Sequence, residues 1–158
     1  MNPDFNEYRR LAAEHGTPLY IVSKSRLAEN YSKLKSFLPK VRLFYAVKAN
    51  HYQPLLNEIY KLGAGFDVAS AEEIQHAIDA GAKPNELIFA NTIKKESSIK
   101  FAIEKGVDLF TFDNEAEIGK LSKIAKGAKV LLHFKETPGV VDSRLDLQPV
   151  ADDARIGQ

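Results

Sequence analysis

The residues of this sequence best suited to chemistry lie in the run Phe44-Tyr45-Ala46-Val47-Lys48-Ala49-Asn50, where aromatic and β-branched side chains lead to a single lysine. An ammonium carried to the mouth of an apolar layer loses hydration, so its pKa falls and more of it becomes the neutral amine that attacks carbonyls. That chemistry makes Lys48 a candidate Schiff-base lysine. The competing reading is an amphipathic side chain whose stem lies on apolar surface while its head reaches water. Four further polar residues stand at or near the ends of later apolar runs: Asp67, Asn91, Asp113 and His133. Alone, Asp67 and Asp113 read equally well as loop-start or N-cap carboxylates, Asn91 as turn chemistry and His133 as a hydrogen-bonded core histidine.

What gives these residues weight together is a repeat. Short apolar runs at 43–47, 65–68, 87–90, 109–112 and 130–134 are centred on Phe44, Phe66, Ile88, Phe110 and Leu132, about 22 residues apart. That period fits one strand, one helix and two short loops. Between the runs, 53–62, 70–80, 96–105 and 114–125 carry apolar residues at helical spacing. Ser70 with Glu73 and Asn114 with Glu117 have capping-box spacing, and Gly63, Gly81, Gly106 and Gly127 fall where helices close on a left-handed residue. The runs read as parallel strands in a (β/α) barrel or an open α/β sheet. In either, ligands sit at the C-terminal ends of the strands, the level at which Lys48, Asp67, Asn91, Asp113 and His133 stand. An earlier unit lies outside the repeat: 17–22 is strand-like, Ser23 is a possible N-cap, and Leu27, Tyr31, Leu34 and Leu38 share one face of a helix ending at Pro39.

Composition narrows the classes of function. The chain has 158 residues, enough for one domain with a core. With 22 basic and 21 acidic residues the net charge is +1, which offers no footprint for nucleic acid or an anionic membrane and suits a small or zwitterionic partner. The chain has no cysteine, no histidine cluster with metal spacing and no Walker or Gly-x-Gly-x-x-Gly loop, so structural zinc, disulfides and P-loop chemistry are set aside. The polar N-terminus lacks a signal-peptide core and no apolar run approaches the ~18 residues of a membrane span, which makes the cytoplasm the expected compartment.

These segments resemble the fold-type III pyridoxal-phosphate decarboxylases, which include ornithine, diaminopimelate and arginine decarboxylases. The resemblance is carried by Thr17-Pro18-Leu19-Tyr20, Phe44 to Asn50, Gly65-Phe66-Asp67-Val68-Ala69-Ser70 with Glu73, Ile88-Phe89-Ala90-Asn91-Thr92-Ile93-Lys94, and Phe112-Asp113 with Glu115 and Glu117. It implies a partial (β/α)8 TIM-type barrel of about five βα units with a preceding N-terminal strand and helix. It divides the chain into an N-terminal segment (1–40), a partial cofactor-binding barrel (41–147) and a polar tail (148–158). It further implies that Lys48 holds pyridoxal 5'-phosphate as a Schiff base, that Ala46 and Asp67 line the cofactor site, and that the full-length protein is a homodimer acting on a small amino acid. The segment 89–94 looks closest to the ornithine-type branch, which points to conversion of ornithine to putrescine in polyamine biosynthesis.

The chain departs from the family pattern at specific places. Leu132-His133-Phe134 stands where a Leu-Arg-Ile strand is usual, replacing a fixed cation near the cofactor by a titrating one. After 141–147 a Lys-Phe-Gly element is usual, whereas 148–153 is polar and patternless. The later barrel strands, the glycine-rich phosphate loop and the C-terminal β-domain of the family are not found in it. Five strands of an eight-stranded barrel leave an unpaired edge and an open apolar interior. The expectation is therefore an N-terminal piece that is poorly soluble or oligomeric alone and lacks turnover. The alternatives are a non-catalytic relative acting as an interaction module, a member of the diaminopimelate branch, and a pyridoxal-phosphate carrier protein of the same fold type.

Overall fold

The computed structural model describes residues 5–133. In chain order the elements are α1 (Phe5–His15), α2 (Lys24–Phe37), β1 (Phe44–Ala46), α3 (Gln53–Lys61), β2 (Gly65–Val68), α4 (Ala71–Asp79), β3 (Leu87–Phe89), α5 (Glu96–Glu104), β4 (Leu109–Phe112), α6 (Glu115–Ile124) and β5 (Lys129–Leu132), with 3-10 turns at Val47–Ala49 and Pro84–Glu86. The strands form one parallel sheet in the order β1-β2-β3-β4-β5. Parallel crossovers are right-handed, so a strand order that always advances in one direction puts every connecting helix on the same face of the sheet. A doubly wound sheet reverses its order and covers both faces. The unreversed order makes this sheet the wall of a (β/α) barrel.

Register assigns the two faces. Phe44 pairs with Gly65, Ala46 with Asp67, Asp67 with Ile88, Phe89 with Phe110 and Thr111 with Leu131. Because side chains alternate along a strand, Tyr45, Phe66, Val68, Phe89, Phe110 and Val130 point toward the helices, and Phe44, Ala46, Asp67, Ile88, Leu109 and Leu131 point to the barrel interior. The helix side is the core: Phe66, Phe89 and Phe110 are fully buried with Leu56 and Ile59 of α3, Ile74 and Ala77 of α4, and Ile99 and Ala102 of α5. Those helical pairs recur at i, i+3, the spacing of one helix face. The Phe89 and Phe110 rings pack with centroids 5.9 Å apart.

Local chemistry explains the joints. Ser70 and Asn114 cap α4 and α6, each accepting from the N–H three residues on. All four glycines expected to end helices have positive φ. At Gly81 the Schellman pattern is complete, with Gly81 N–H on the Ile78 carbonyl and Ala82 N–H on that of Ala77. Gly65 is required for a different reason. A Cβ there would lie 2.5 Å from the Glu86 carbonyl oxygen and 2.7 Å from the Phe44 ring, so only a bare Cα admits that ring onto the interior face.

The N-terminal segment differs from expectation. Residues 17–22 form no strand, because a strand exists only where a neighbour pairs its backbone, and no strand of the sheet pairs with them. Tyr20 is 94% exposed there. The preceding 5–15 segment is the helix α1, which buries no residue. The helix over 24–37 matches: Ser23 caps it and Leu27 and Tyr31 pack on the core, while Leu34 and Leu38 stay exposed. Phe134, at the end of the fifth apolar run, and the tail 148–158 lie outside the described residues. Among the described residues no helix is long and apolar enough to cross a membrane.

Candidate functional site

The strand that should deliver Lys48 stops two residues early. β1 ends at Ala46, and Lys48 rides on the 3-10 turn Val47–Ala49. Val47 is fully buried and plugs the turn into the core, which lifts Lys48 past the strand end into an exposed position. The desolvated amine expected from the sequence is therefore absent from this chain, because a 3-10 turn replaces the last residues of the strand. Asn50 fastens the turn through three groups: its N–H donates to the Val47 carbonyl (3.1 Å), its Oδ1 accepts from the Tyr52 N–H (2.9 Å), and its carbonyl accepts from the Tyr45 hydroxyl (3.2 Å).

On the neighbouring strand Asp67 stands level with Ala46, pointing to the interior. Asp67 is half-buried. Burial pushes its carboxyl above the ordinary value, and the Lys48 ammonium pulls it partly back. The two groups thus share one electrostatic environment. A cleft of about 760 Å3 opens beside Lys48, lined by Ala49, His51 and Tyr52 and, from the N-terminal segment, Tyr20 and Val22. The His51 ring stacks on His76 of α4 with centroids 5.5 Å apart.

The other strand-end residues fall at the same end of the sheet without converging on Lys48. Asn91 is exposed and uses its carbonyl to accept from Lys94. Asp113 is half-buried and accepts from the Asn114 side chain (2.7 Å). His133 is exposed and sits just past β5; its N–H bonds the Phe112 carbonyl (2.8 Å), continuing the ladder. Strands β2, β3 and β4 separate it from β1, so Ala46, Lys48 and Asp67 are brought together and His133 is not beside them.

A buried charge cluster at this end escapes the sequence reading. The Lys94 side chain has no exposure, and its Nζ donates to the carbonyls of Asn91 (2.9 Å) and Thr111 (2.6 Å) and to Glu117 Oε1 (2.9 Å). Glu117, 2% exposed, also accepts from the Lys94 N–H (3.2 Å) and from Lys120 (2.6 Å), and Lys120 reaches on to the Lys94 carbonyl. Burial pushes the Lys94 amine below its ordinary value, Glu117 opposing it in part. Burial also pushes the Glu117 carboxyl up, but hydrogen bonds from Lys120 and Lys94, with their charges, outweigh it and the net direction is down. Capping-box spacing assigned Glu117 to its own helix; its only sequence signal for another role is Lys120 at i+3.

A primary amine and an acid at the C-terminal tips of adjacent parallel strands suit an aldehyde cofactor. Residues 24–146 match the family model for the pyridoxal-binding domain of pyridoxal-dependent decarboxylases. The chain belongs to that family. It is 34% identical over 160 residues to a lysine/ornithine decarboxylase of Selenomonas ruminantium, covering 94% of this chain and 41% of the relative. It is 37% identical over 118 residues to a chloroplastic ornithine decarboxylase of Nicotiana glauca, covering 75% of this chain and 27% of the relative. A crystal structure of the Selenomonas ruminantium lysine decarboxylase superposes with a TM-score of 0.81 at 34% identity, covering 88% of this chain and 38% of that one. Further matches bear the names arginine decarboxylase, diaminopimelate decarboxylase and antizyme inhibitor 2. The chain spans less than half the length of these relatives. The family's cofactor is pyridoxal phosphate, and the site fits it: Lys48 is exposed and lines the cleft, and Asp67, outside the cleft lining on the interior wall, lies within reach of the lysine charge.

Proposed function

We propose that this chain contributes the cofactor lysine and part of the barrel wall to an amino-acid decarboxylase that acts on ornithine and releases putrescine. The observation that carries the reading is that Lys48 lies just past the end of β1, where Ala46 stands level with Asp67 of β2, close enough for the lysine charge to act on the Asp67 carboxyl. Lys48 is the amine that would hold the cofactor covalently, Ala46 leaves room for a flat ring, Asp67 supplies negative charge beside it, and His133 stands just past β5 at the same end of the sheet. When bound, pyridoxal phosphate supplies the electron sink for loss of the substrate carboxylate. The protein's part is to fix orientation: the 3-10 turn presents the amine at a set height, and the parallel wall behind it excludes water from one side. Ornithine is favoured over diaminopimelate by the segment 89–94. The reaction and a homodimeric assembly are assigned to the whole protein.

The test is direct. Incubation of the chain with pyridoxal phosphate should give visible absorbance, and borohydride should fix the cofactor on the peptide containing Lys48, with Lys48→Arg unlabelled. Label on a different residue, or none, overturns the reading. Carbon dioxide release by the whole protein from ornithine, lysine, arginine and diaminopimelate should favour ornithine. A second reading, a wall that binds a partner without catalysis, draws support from the exposure of Lys48 and from the relative named antizyme inhibitor 2. Cofactor on Lys48 with no release from any of the four amino acids would favour it.

A further inference from the structure

We propose that Tyr45 is a positioning residue for Lys48, acting through Asn50 to hold the 3-10 turn at the height from which the lysine amine meets an aldehyde. The inference deepens the reading of Lys48 as the cofactor lysine and rests on it. Tyr45 is the middle residue of β1 and faces the helices, where its ring meets Phe66 edge-on with centroids 6.5 Å apart at 87°. That contact aims the phenol along the wall toward the strand's C-terminal end. There its hydroxyl donates to the Asn50 carbonyl at 3.2 Å, five residues ahead. The bond closes a ring of backbone that contains Val47, Lys48 and Ala49.

The turn has few other restraints. Lys48 and Ala49 are exposed and neither belongs to the buried core, so the turn is anchored through Val47 at its start and Asn50 at its end. Asn50 is itself extended (φ −166°, ψ 112°) and belongs to no helix, so its direction is set by its three hydrogen bonds. Two of these are local, to residues 47 and 52. The bond from Tyr45 ties the far end of the turn back to β1, as buried Val47 ties its start, and β1 lies beside the strand that carries Asp67. Burial also pushes the Tyr45 phenol up, which keeps the proton on the donor across the neutral range. Loss of the hydroxyl leaves the ring and its contact with Phe66 in place, so the turn should loosen while the sheet does not.

Two measurements on the full chain test this in Tyr45→Phe. Amide hydrogen exchange at 47–52 should quicken by about two- to tenfold, the range expected for one lost hydrogen bond, with β2, β3 and β4 unchanged. In a titration with pyridoxal phosphate trapped by borohydride, the apparent affinity at Lys48 should fall by a similar factor. Unchanged exchange at 47–52, or exchange raised equally through β2 to β4, overturns the inference. So does equal trapping in the wild type and the variant. If the wild type forms no Lys48 adduct while exchange at 47–52 quickens in Tyr45→Phe, the cofactor reading fails and Tyr45's hold on the turn stands.

Discussion

Removing the negative charge from the middle of the Lys94–Glu117–Lys120 cluster should unbalance the fold more than any surface change. In Glu117→Gln the shape is retained, but the Lys94 ammonium, with no exposure, is left facing two carbonyls and the Phe89 ring at 5.8 Å, with Lys120 now unopposed. Breaking a buried pair by removing one partner costs about 3–5 kcal/mol because the other charge stays buried and uncompensated. Lys120→Met should cost about 1–2 kcal/mol, since Lys120 is 22% exposed and Glu117 keeps its bonds to Lys94. The double variant Lys94→Met with Glu117→Leu should recover only part of the loss: apolar replacement of both charges is often neutral, but the buried Lys94 N–H and the Thr111 carbonyl lose their side-chain partners. Urea unfolding of the full chain at pH 7, followed by circular dichroism with an unchanged denaturant slope, measures all three. The reasoning fails if Glu117→Gln loses under about 1 kcal/mol, or no more than Lys120→Met.

The pH dependence of that cluster gives an independent check. Because the folded Lys94 amine titrates below its ordinary 10.5, the unfolded chain binds more protons in the window beneath 10.5 and stability rises with pH there. Glu117→Gln removes an opposing influence, so its deficit should shrink between pH 7 and pH 10; an equal deficit at both would count against the assignment. Because the Glu117 carboxyl lies below its ordinary 4.5, its contribution is present above pH 4.5 and fades as pH falls through the folded value. In Lys48→Ala, carboxyl NMR should show the Asp67 titration moving further up, since the cation that pulls it down is gone; an unmoved titration means that the two groups do not share a site. Gly65→Ala should destabilise the chain by about 1–3 kcal/mol through overlap with the Glu86 carbonyl and the Phe44 ring, and wild-type stability in urea would refute the close approach.

How much was legible in advance follows from the range of each interaction. The alternation of strands and helices was readable because burial periodicity and glycine C-caps are written in neighbouring residues, and Ser23, Ser70, Asn114 and Gly81 do in space what their spacing implied. The family, and with it the cofactor, was readable from short contiguous segments around Lys48, Asp67 and Asn91. The strand over 17–22 was misread because strand formation depends on a partner that the segment's own residues do not specify.

What the sequence by itself determined was the alternation of strands and helices from residue 43 onward and the segment that carries the lysine, both consequences of local pattern. Only the tertiary structure decided how that lysine is presented. In the 3-10 turn Val47 takes a buried seat and the Asn50 carbonyl accepts from Tyr45, and the Lys94–Glu117 pair spans 23 residues and forms only once β3 and β4 lie side by side. Burial and electrostatic environment are sums over everything packed nearby, so an amine that reads as dry in its own segment is exposed, and one that reads as ordinary has a fully buried side chain.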